Sequence, residues 1–485
     1  MVEESSDTPV AGRTDADAAA ERDREPAPEA GPGPPELGLE PEPELAARRR
    51  LRAAVALTLV AAIVVFGALG GSRLISSRDE TAADAEASPT GPARLAVVGP
   101  HGALSTIAAD GGSVVRFESP GVTLQFPAWS PDGTRIAAPG TTLDGTSGVY
   151  VFDANDAASP PKTLFASAAS PPFYLSWAPD GRHVTFLAQE PTTISLRVAP
   201  ADGSAEATIL RRGAPMYWDW VDADSVIVHA GNDSAEGFLG ELGLGSESEA
   251  RTQIAPGFFR PPDVGSDGRF RAYVIPSGDD TAAVVVERAD GSGRHEIPAV
   301  GAVAIGFDPA GRTVAWTASG APTGDQAALP IGPLHAIDAE TGADRTLLDA
   351  QVVGFFWSPD GRTVASLRIR GPSEPGVDIA AVGATTTDTE PAVNASGIVL
   401  QLVFVDVASG AIRSERPVAL SELYVFQLLP FFDQYALSHR TWSPDSSSIA
   451  LPLADDVGKT EIFLIPADGG DPRSIADGVM AFWSP

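Results

Sequence analysis

Trp129-Ser130-Pro131-Asp132-Gly133 recurs along this chain, and the recurrence governs how the chain folds. The further copies each place an aromatic residue before a proline turn: Trp177-Ala178-Pro179-Asp180-Gly181, Phe307-Asp308-Pro309-Ala310-Gly311, Trp357-Ser358-Pro359-Asp360-Gly361, Trp442-Ser443-Pro444-Asp445-Ser446 and a final Trp483-Ser484-Pro485. Proline presets φ, aspartate tolerates the next turn position and glycine supplies the positive φ that follows, so each copy predicts a tight corner between antiparallel strands. A period of about 40 to 50 residues with strand-rich units favours a β-propeller of four-stranded blades.

Two degenerate copies complete the series between Gly181 and Phe307. They are Tyr217-Trp218-Asp219-Trp220 and Val264-Gly265-Ser266-Asp267-Gly268, and both fall on the period. The strands predicted after residue 93 lack an aromatic strand before them, and residues 479–485 are predicted to supply it by pairing the two ends of the ring. Counting the corners in this way predicts an all-β propeller of about eight four-stranded blades, with seven as the alternative.

A second turn follows the corner in most units, as in Ala201-Asp202-Gly203, Ala289-Asp290-Gly291 and Ala467-Asp468-Gly469. Corners of the Trp-Ser-Pro-Asp-Gly type paired with such turns resemble the repeats of TolB-like propellers, which are relatives of WD-repeat blades. The resemblance covers residues 93 to 485 and implies the propeller fold over that range. It implies no single function, because such repeats occur both in binding scaffolds and beside peptidase domains.

Composition excludes several kinds of site and partner. The chain has 485 residues, and its 49 glycines and 43 prolines suit a fold with many turns. It contains no cysteine, which excludes disulfides, thiol catalysis and thiolate metal sites. The formal net charge is −31, and because phosphate binding requires clustered lysine and arginine, no nucleic acid is expected as a partner.

The N-terminal part of the chain differs from the repeats. Residues 1–46 are rich in proline, glutamate, aspartate and alanine, so they bury too little surface to offset the entropy of ordering and are predicted to be disordered. An uncharged apolar run, 53–72, is long enough to cross the hydrocarbon core as a helix. A buried core helix and a cleaved signal peptide are the alternatives, but the length of the run and its distance from the start fit an uncleaved anchor better.

The charges that flank this run predict its orientation. Four arginines precede it, at positions 48, 49, 50 and 52, whereas only Arg73 and Arg78 follow closely. The positive-inside rule therefore places the N-terminus in the cytoplasm and the propeller outside the membrane. The predicted domains are a disordered cytoplasmic segment (1–46), a basic flank with the membrane helix (47–72), a linker (73–92) and the propeller (93–485).

Motifs for catalysis, cofactor binding and metal binding are missing from the sequence. It has no G-x-S-x-G elbow, and Gly458-Lys459-Thr460 lacks the earlier glycine that a phosphate loop requires. Its six histidines are not spaced as metal ligands, and the acidic residues Asp219, Asp222 and Asp224 do not match a calcium loop, nor does the pair at 279–280. We therefore predict no catalytic, cofactor-binding or metal-binding residues, and no cofactor.

Two inserts before Trp442 depart from the repeat. The polar one, 371–397, is predicted to be a mobile surface loop, and the aromatic-rich one, 423–435, is predicted to lie at one face of the ring. One interpretation of the aromatic insert is an elaborated strand or plug that covers an end of the ring. The other is a recognition patch, since exposed aromatic clusters mark interaction sites. The candidate residues of such a patch are Tyr424, Phe426, Phe431, Phe432 and Tyr435.

Two functions remain open at this level. The anchor, the ring and the missing motifs favour a membrane-anchored extracytoplasmic propeller that binds a protein, peptide or glycan without catalysis, in sensing or envelope assembly. The alternative is an enzyme, a hydrolase or lyase, whose active site lies in the central channel and combines side chains of several blades without any linear motif. Clustered carboxylates and a histidine in the channel favour the enzyme, whereas a channel lined by Val, Ala and Ser disfavours it.

Overall fold

The structure is a computed structural model, and it describes residues 93–231, 237–244, 246–247, 261–278, 281–321, 329–370, 400–455 and 458–485. The predicted disordered segment 1–46, the apolar run 53–72, the linker 73–92 and the polar insert 371–397 lie outside the described residues. Within the described ranges, no helix has both the length and the apolar character needed to cross a membrane.

Strands dominate the described residues. Those of the first half of the chain are β1 (Arg94–Val98), β2 (Leu104–Ala108), β3 (Val115–Arg116), β4 (Val122–Leu124), β5 (Ala128–Trp129), β6 (Arg135–Thr142), β7 (Ser147–Asp153), β8 (Lys162–Ser167), β9 (Pro172–Trp177), β10 (His183–Gln189), β11 (Ile194–Pro200), β12 (Thr208–Gly213), β13 (Met216–Trp220), β14 (Ser225–Ala230), β15 (Phe238–Gly243) and β16 (Ser246–Glu247). Those of the second half are β17 (Asp263–Val264), β18 (Phe270–Gly278), β19 (Thr281–Arg288), β20 (His295–Val300), β21 (Val303–Phe307), β22 (Thr313–Ala318), β23 (Gly332–Asp338), β24 (Asp344–Trp357), β25 (Thr363–Ile369), β26 (Leu400–Asp406), β27 (Ile412–Val418), β28 (Ser448–Ala454), β29 (Thr460–Pro466), β30 (Arg473–Asp477) and β31 (Met480–Trp483).

These strands form antiparallel sheets, as the turn chemistry predicts. Four sheets have four strands each, in the orders β3-β2-β1-β31, β12-β11-β10-β9, β13-β14-β15-β16 and β17-β18-β19-β20. A fifth runs β4-β6-β7-β8, with β5 also paired to β6, and a sixth is β28-β29-β30. The seventh runs from β21 to β27 and depends on the long strand β24, which pairs with β23 up to Val352 and with β25 from Val352 to Trp357. The predicted all-β architecture is confirmed for the described residues.

The two ends of the propeller range pair with each other. Strand β31 lies antiparallel to β1, with Leu95 opposite Trp483 and Val98 opposite Met480. The backbone N–H of Ser484 also donates to Arg94 O at 2.8 Å. The predicted pairing of residues 479–485 with the first strands is therefore confirmed.

Each repeated corner is held by its own hydrogen bonds. At the first, the N–H of Gly133 donates to Ser130 O at 2.9 Å, and Gly133 has a φ of 69°. Asp132 Oδ1 accepts hydrogen bonds from Ser130 Oγ at 2.6 Å and from the backbone N–H of Thr134 at 3.0 Å. Ser446 takes the glycine position of a later copy with a φ of 61°. The corner therefore forms from local chemistry, as predicted.

Tryptophan side chains join neighbouring sheets, and one of them, Trp357 of β24, joins β24 to β21 within the seven-stranded sheet. In four of the links below, the indole Nε1 donates to the carbonyl just before the aromatic residue of the preceding copy. The donor and acceptor pairs are Trp129 to Phe482 O at 3.1 Å, Trp177 to Ala128 O at 2.9 Å, Trp218 to Thr185 Oγ1 at 3.0 Å, Trp357 to Gly306 O at 3.0 Å and Trp442 to Phe356 O at 3.0 Å. The repeated tryptophans are thus connectors between sheets as well as packing residues.

Two copies lack tryptophan at the linking position, where Val264 and Phe307 stand. There a carboxylate of the preceding sheet takes over the connection. Asp219 Oδ2 accepts the backbone N–H of Val264 at 2.9 Å, and Asp263 Oδ2 accepts that of Phe307 at 2.6 Å. Together with the backbone hydrogen bond from Trp483 N to Arg440 O, these links run from sheet to sheet in a closed cycle, which is the arrangement of a β-propeller.

Candidate functional site

Residues 421–440, which we name the plug, lie between β27 and the corner residue Trp442. They form three short helical segments: a π-helical turn (Tyr424–Leu428), a 3-10 turn (Leu429–Phe431) and α1 (Phe432–Ala436). An isolated bridge from Leu420 to Leu453 precedes the plug. The aromatic insert is therefore helical and not a strand.

The plug packs its rings against strands of several sheets. The ring centroid of Tyr435 lies 4.8 Å from that of Phe126 and 5.0 Å from that of Tyr174, whereas Phe432 lies 5.0 Å from Phe355. These partners belong to the segment before β5, to β9 and to β24. Because three different sheets converge on it, the plug occupies the centre of the sheet cycle.

Gln434 anchors the plug to the edge of β13. Its side-chain Nε2 donates to Trp218 O at 2.7 Å, and its Oε1 accepts the Trp218 N–H at 3.0 Å, so both backbone groups of Trp218 are satisfied by one side chain. Tyr174 OH donates to the backbone oxygen of Gln434 at 2.6 Å. Gln434 is buried, and each of these hydrogen bonds is protected from water.

His439 makes a second anchor at the end of the plug. Its Nε2 donates to Phe126 O at 3.1 Å, and its Nδ1 accepts from Ser438 Oγ at 2.6 Å. Ser438 Oγ also lies 2.8 Å from Tyr174 OH. Burial lowers the pKa of His439 to about 4, so the ring is neutral at ordinary pH and acts as a hydrogen-bonding strut.

The residues of the predicted recognition patch do not form an exposed cluster on the surface. Tyr424, Phe432 and Tyr435 are buried, with exposed fractions of 2%, 1% and 6%, and Phe426 and Phe431 are half-buried. A recognition patch requires exposed rings, whereas most of these rings fill the centre of the cycle. In this structure they act as packing residues.

Two carboxyl groups of the ring are paired beside the plug, and a third carboxyl group, on the plug, lies within electrostatic reach of one of them. Asp219 of β13 and Asp263 of β17 are hydrogen-bonded to each other, and Asp433 of α1 lies within electrostatic reach of Asp263. Asp263 and Asp433 are each 4% exposed; Asp219 is partly exposed as a residue, but its carboxyl group is enclosed by its neighbours. We name these three residues the acid cluster.

Burial dominates the electrostatics of the acid cluster. It raises the pKa of Asp263 to about 6, although the Phe307 N–H opposes the shift. Burial, together with the neighbouring charge of Asp263, raises the pKa of Asp219 well above its usual range and that of Asp433 to about 7. At neutral pH the cluster therefore retains protons that exposed carboxyl groups have lost.

One carboxyl oxygen of the acid cluster accepts no hydrogen bond from the described residues. Asp433 Oδ1 accepts the backbone N–H of Gln434 at 2.9 Å, but Asp433 Oδ2 is buried without a hydrogen-bond partner among the described residues. A buried carboxylate oxygen without a partner is costly when charged, which favours the protonated form. The acid cluster can thus store protons at the centre of the cycle.

The remaining acidic candidates from the sequence do not join the acid cluster. Asp222 is exposed, and its Oδ1 accepts the Asp224 N–H at 2.8 Å in a local turn, whereas the pair 279–280 lies outside the described residues. Over the part of the chain that the structure describes, no three or more His, Cys, Asp or Glu side chains are arranged to hold a metal ion.

Sequence reasoning missed Asp263, Asp433 and Gln434. A usable signal existed for Asp263, because Asp219 and Asp263 stand directly before Trp220 and Val264 in the two copies that accept no tryptophan hydrogen bond from the next sheet. Gln434 and Asp433 gave no such signal, since nothing in the local pattern of the plug shows which side chain meets which sheet.

Comparisons with known proteins support the fold without giving a family. No protein-family model matches the chain, and no curated protein matches it. A solved structure of dihydro-heme d1 dehydrogenase NirN in complex with DHE is similar at 14% identity, with a TM-score of 0.51 over 84% of this chain and 77% of that one. At this identity the similarity shows the fold alone.

Two further solved structures have lower TM-scores. TolB from Acinetobacter baumannii is 18% identical, with a TM-score of 0.34 over 53% of this chain and 64% of that one. Oligogalacturonate lyase in complex with manganese is 12% identical, with a TM-score of 0.41 over 80% of this chain and 85% of that one. Both values are too low to transfer any activity to this chain.

Proposed function

We propose that the chain is an eight-bladed β-propeller that acts as a binding scaffold for a protein, peptide or glycan, and not as an enzyme. The blade count follows if β24 serves two blades of the seven-stranded sheet, and if the bridge from Trp442 to Ile449 adds a corner strand to β28, β29 and β30. Each sheet then resolves into blades of four strands. Such a ring offers rigid faces for partners in sensing or envelope assembly.

The observation that carries the proposal is the plug. Tyr424, Phe432 and Tyr435 fill the centre of the cycle from one end, so a substrate has little room to reach inner side chains from that side. Binding then falls to the outer faces of the ring. A scaffold needs no open channel, whereas an enzyme of the channel type does.

The alternative, a hydrolase or lyase in the channel, is favoured by the clustered carboxyl groups of Asp219, Asp263 and Asp433 and by the buried His439 of the plug. Asp219 and Asp263 share a hydrogen bond and have pKa values pushed upward by burial, which is also how acid–base pairs are tuned. However, one carboxyl oxygen of each residue accepts a hydrogen bond from a backbone N–H of the next sheet: Asp219 accepts from Val264, and Asp263 accepts from Phe307. A connecting role explains both residues without a substrate.

Exposed apolar side chains distinguish the two ends of the ring. Leu143 follows β6 and is 88% exposed, and Phe173 lies near the start of β9 and is 39% exposed. Strand β6 begins at a corner and β9 ends at one, so the end of β6 and the start of β9 both lie at the end of the ring opposite the corners. The plug also lies at this end. Val114 and Ile412 are also exposed but lie at the corner end, next to the turns that precede β3 and β27.

This difference provides a matched test of partner binding. The double variant Leu143→Asp with Phe173→Asp is expected to reduce the yield of a cross-linked partner in native membranes at least about tenfold, equivalent to about 1.4 kcal/mol, because charge is placed in the apolar contact. The control, Val114→Asp with Ile412→Asp, is expected to leave the yield unchanged. Equal yields from both variants would contradict binding at the plug end; turnover by the purified chain that is lost in Asp219→Asn would favour the enzyme.

The proposed location is the outer side of a membrane, with residues 53–72 as the anchor. Support comes from the apolar run and from the four arginines before it. The absence of cysteine allows single-cysteine labelling with a membrane-impermeant maleimide. In intact cells, Ser204→Cys on an exposed propeller turn is expected to be labelled, whereas Ser5→Cys is expected to be labelled only after permeabilisation. The reverse pattern would overturn the orientation.

A further inference from the structure

Arg440 is a charged residue at a position that the other copies fill with buried apolar side chains. The position lies two residues before the residue that ends the strand leading into each corner. In the other copies it is occupied by Pro127, Leu175, Trp218, Pro262, Ile305, Phe355 and Ala481, and all of these are buried. Arg440 stands two residues before Trp442 and is exposed. The packing of neighbouring blades therefore does not account for this guanidinium.

Arg440 lies at the centre of the ring. The strands that lead into the corners surround this centre, because the links between sheets begin and end on them. Arg440 O accepts the backbone N–H of Trp483 at 2.8 Å, so it belongs to such a strand and adjoins the next one. It is also the last residue of the plug and lies between the buried rings of the plug and the corner that follows Trp442. Since those rings close one end, Arg440 reaches solvent from the corner end.

The surroundings of Arg440 are concave. Its side chain is exposed to solvent, and yet burial by the surrounding protein lowers the pKa of the guanidinium. Desolvation requires many protein atoms around the group, whereas exposure requires an open path to water. Both conditions are met by a side chain that lines a recess at the centre of the ring.

The guanidinium of Arg440 has no hydrogen-bond or ion-pair partner among the described residues, and no acidic side chain of these residues contributes to its electrostatics. The chain has 64 acidic and 33 basic side chains, so a carboxylate partner is the ordinary case for an arginine. Arg271 pairs with Glu241 at 2.6 Å, for example, and Arg294 pairs with Glu296 at 2.8 Å. The N–H donors of Arg440 are therefore free to bind an anion from outside the chain.

Partly exposed aromatic residues stand on the two blades before Arg440. Phe307 ends β21 and Trp357 ends β24, and both are half-buried. The tryptophans at the same position of the other copies are buried, namely Trp129, Trp177, Trp220, Trp442 and Trp483. Arg440 shares a face of its strand with Trp442, whose Nε1 donates to Phe356 O, so the Arg440 side chain is also directed toward β24. This side of the recess thus combines a cation with apolar surface.

We propose that Arg440 binds the carboxylate of a small organic anion, whose flat apolar part contacts the neighbouring wall of the recess and which enters the ring from the corner end. The planar guanidinium donates paired N–H bonds to a carboxylate, and a few polar groups on an apolar wall are typical of small-molecule sites. The site lies at the end of the ring opposite Leu143 and Phe173. It therefore goes beyond the partner binding proposed above and is tested independently of it.

Calorimetric titration of the full-length chain with 2-naphthoate tests the site, and 2-naphthamide serves as a neutral probe of the same shape. The unaltered chain is expected to bind 2-naphthoate at least about tenfold more tightly than 2-naphthamide, because hydrogen bonds between charged groups are the stronger ones. In Arg440→Gln the affinity for 2-naphthoate is expected to fall at least about tenfold, while that for 2-naphthamide is unchanged. The Tm is expected to stay the same, since the Arg440 side chain has no partner among the described residues.

Two further variants separate recognition by the guanidinium from a general effect of charge. Arg440→Lys keeps the charge without the planar fork and is expected to give an affinity between those of the unaltered chain and Arg440→Gln. Arg362→Gln is the matched control, because Arg362 is an exposed arginine on the corner turn after Trp357, and it is expected to bind as the unaltered chain does. Equal affinities of the two probes for the unaltered chain, or equal losses in Arg440→Gln and Arg362→Gln, overturn the proposal.

Discussion

Replacing Phe432 by alanine is expected to lower the free energy of unfolding by about 3–5 kcal/mol. The ring is 1% exposed, and it makes edge-to-face contacts with Phe355 and Phe356, at centroid distances of 5.0 and 6.1 Å. Strand β24 approaches the plug at Gly354, where an added Cβ would lie 2.7 Å from Leu429 and 3.4 Å from Phe432. Because the backbone is already this close, the surroundings have little freedom to collapse into the cavity.

Urea denaturation of the full-length chain measures this loss. Phe173→Ala is the control, since Phe173 is 39% exposed and its truncation is expected to cost below about 1 kcal/mol. A loss of the same small size in Phe432→Ala would mean that the plug does not pack as a core element, and the aromatic insert would return as a candidate recognition surface.

Removing the carboxylate of Glu287 is expected to cost about 3 kcal/mol, which is the second large effect. The Glu287 side chain is fully buried between β18 and β20, where its Oε1 accepts Arg271 Nε at 2.9 Å and Tyr273 OH at 3.0 Å. Glu287→Ala leaves the guanidinium of Arg271, only 11% exposed, with Glu241 at 2.6 Å as its charged neighbour. The expected loss of stability is at the low end of the range for a broken buried ion pair, because Glu241 still pairs with Arg271 in the variant.

The same denaturation measurement distinguishes this buried network from surface pairs. Glu296→Ala is the matched control, since Glu296 accepts Arg294 Nε at 2.8 Å while 51% exposed, and its loss is expected to stay below about 1 kcal/mol. Equal losses in the two variants would show that the buried carboxylate of Glu287 does not stabilise the joint between β15, β18 and β19.

The corners and the closure of the ring were predictable because their causes are local. Proline and glycine restrict φ at Pro131 and Gly133 regardless of what lies beyond the turn, and repetition multiplies the signal. The pairing of residues 479–485 with β1 followed from counting, since one strand was missing at the start and one was left over at the end. Even the linking tryptophans were identified, although their hydrogen-bond acceptors were not.

The helical form of the plug could not be predicted in the same way. Its aromatic residues have no strict helical or strand period, so the local pattern left an elaborated strand, a plug and an exposed patch as open interpretations. Tertiary contacts distinguish these interpretations. Gln434 hydrogen-bonds both backbone groups of Trp218, and three rings of the insert fill the space at the centre of the sheets. Both contacts exist only after the sheets have assembled.

The sequence by itself therefore determined the repeated corner, the all-β ring and its closure, because turn dihedrals and strand alternation are properties of a few adjacent residues. The tertiary structure alone decided the acid cluster, since Asp219, Asp263 and Asp433 come from three distant segments and their proton affinity depends on mutual distance and burial. A carboxyl group has an ordinary pKa in the unfolded chain, and burial within the assembled sheets and plug raises it.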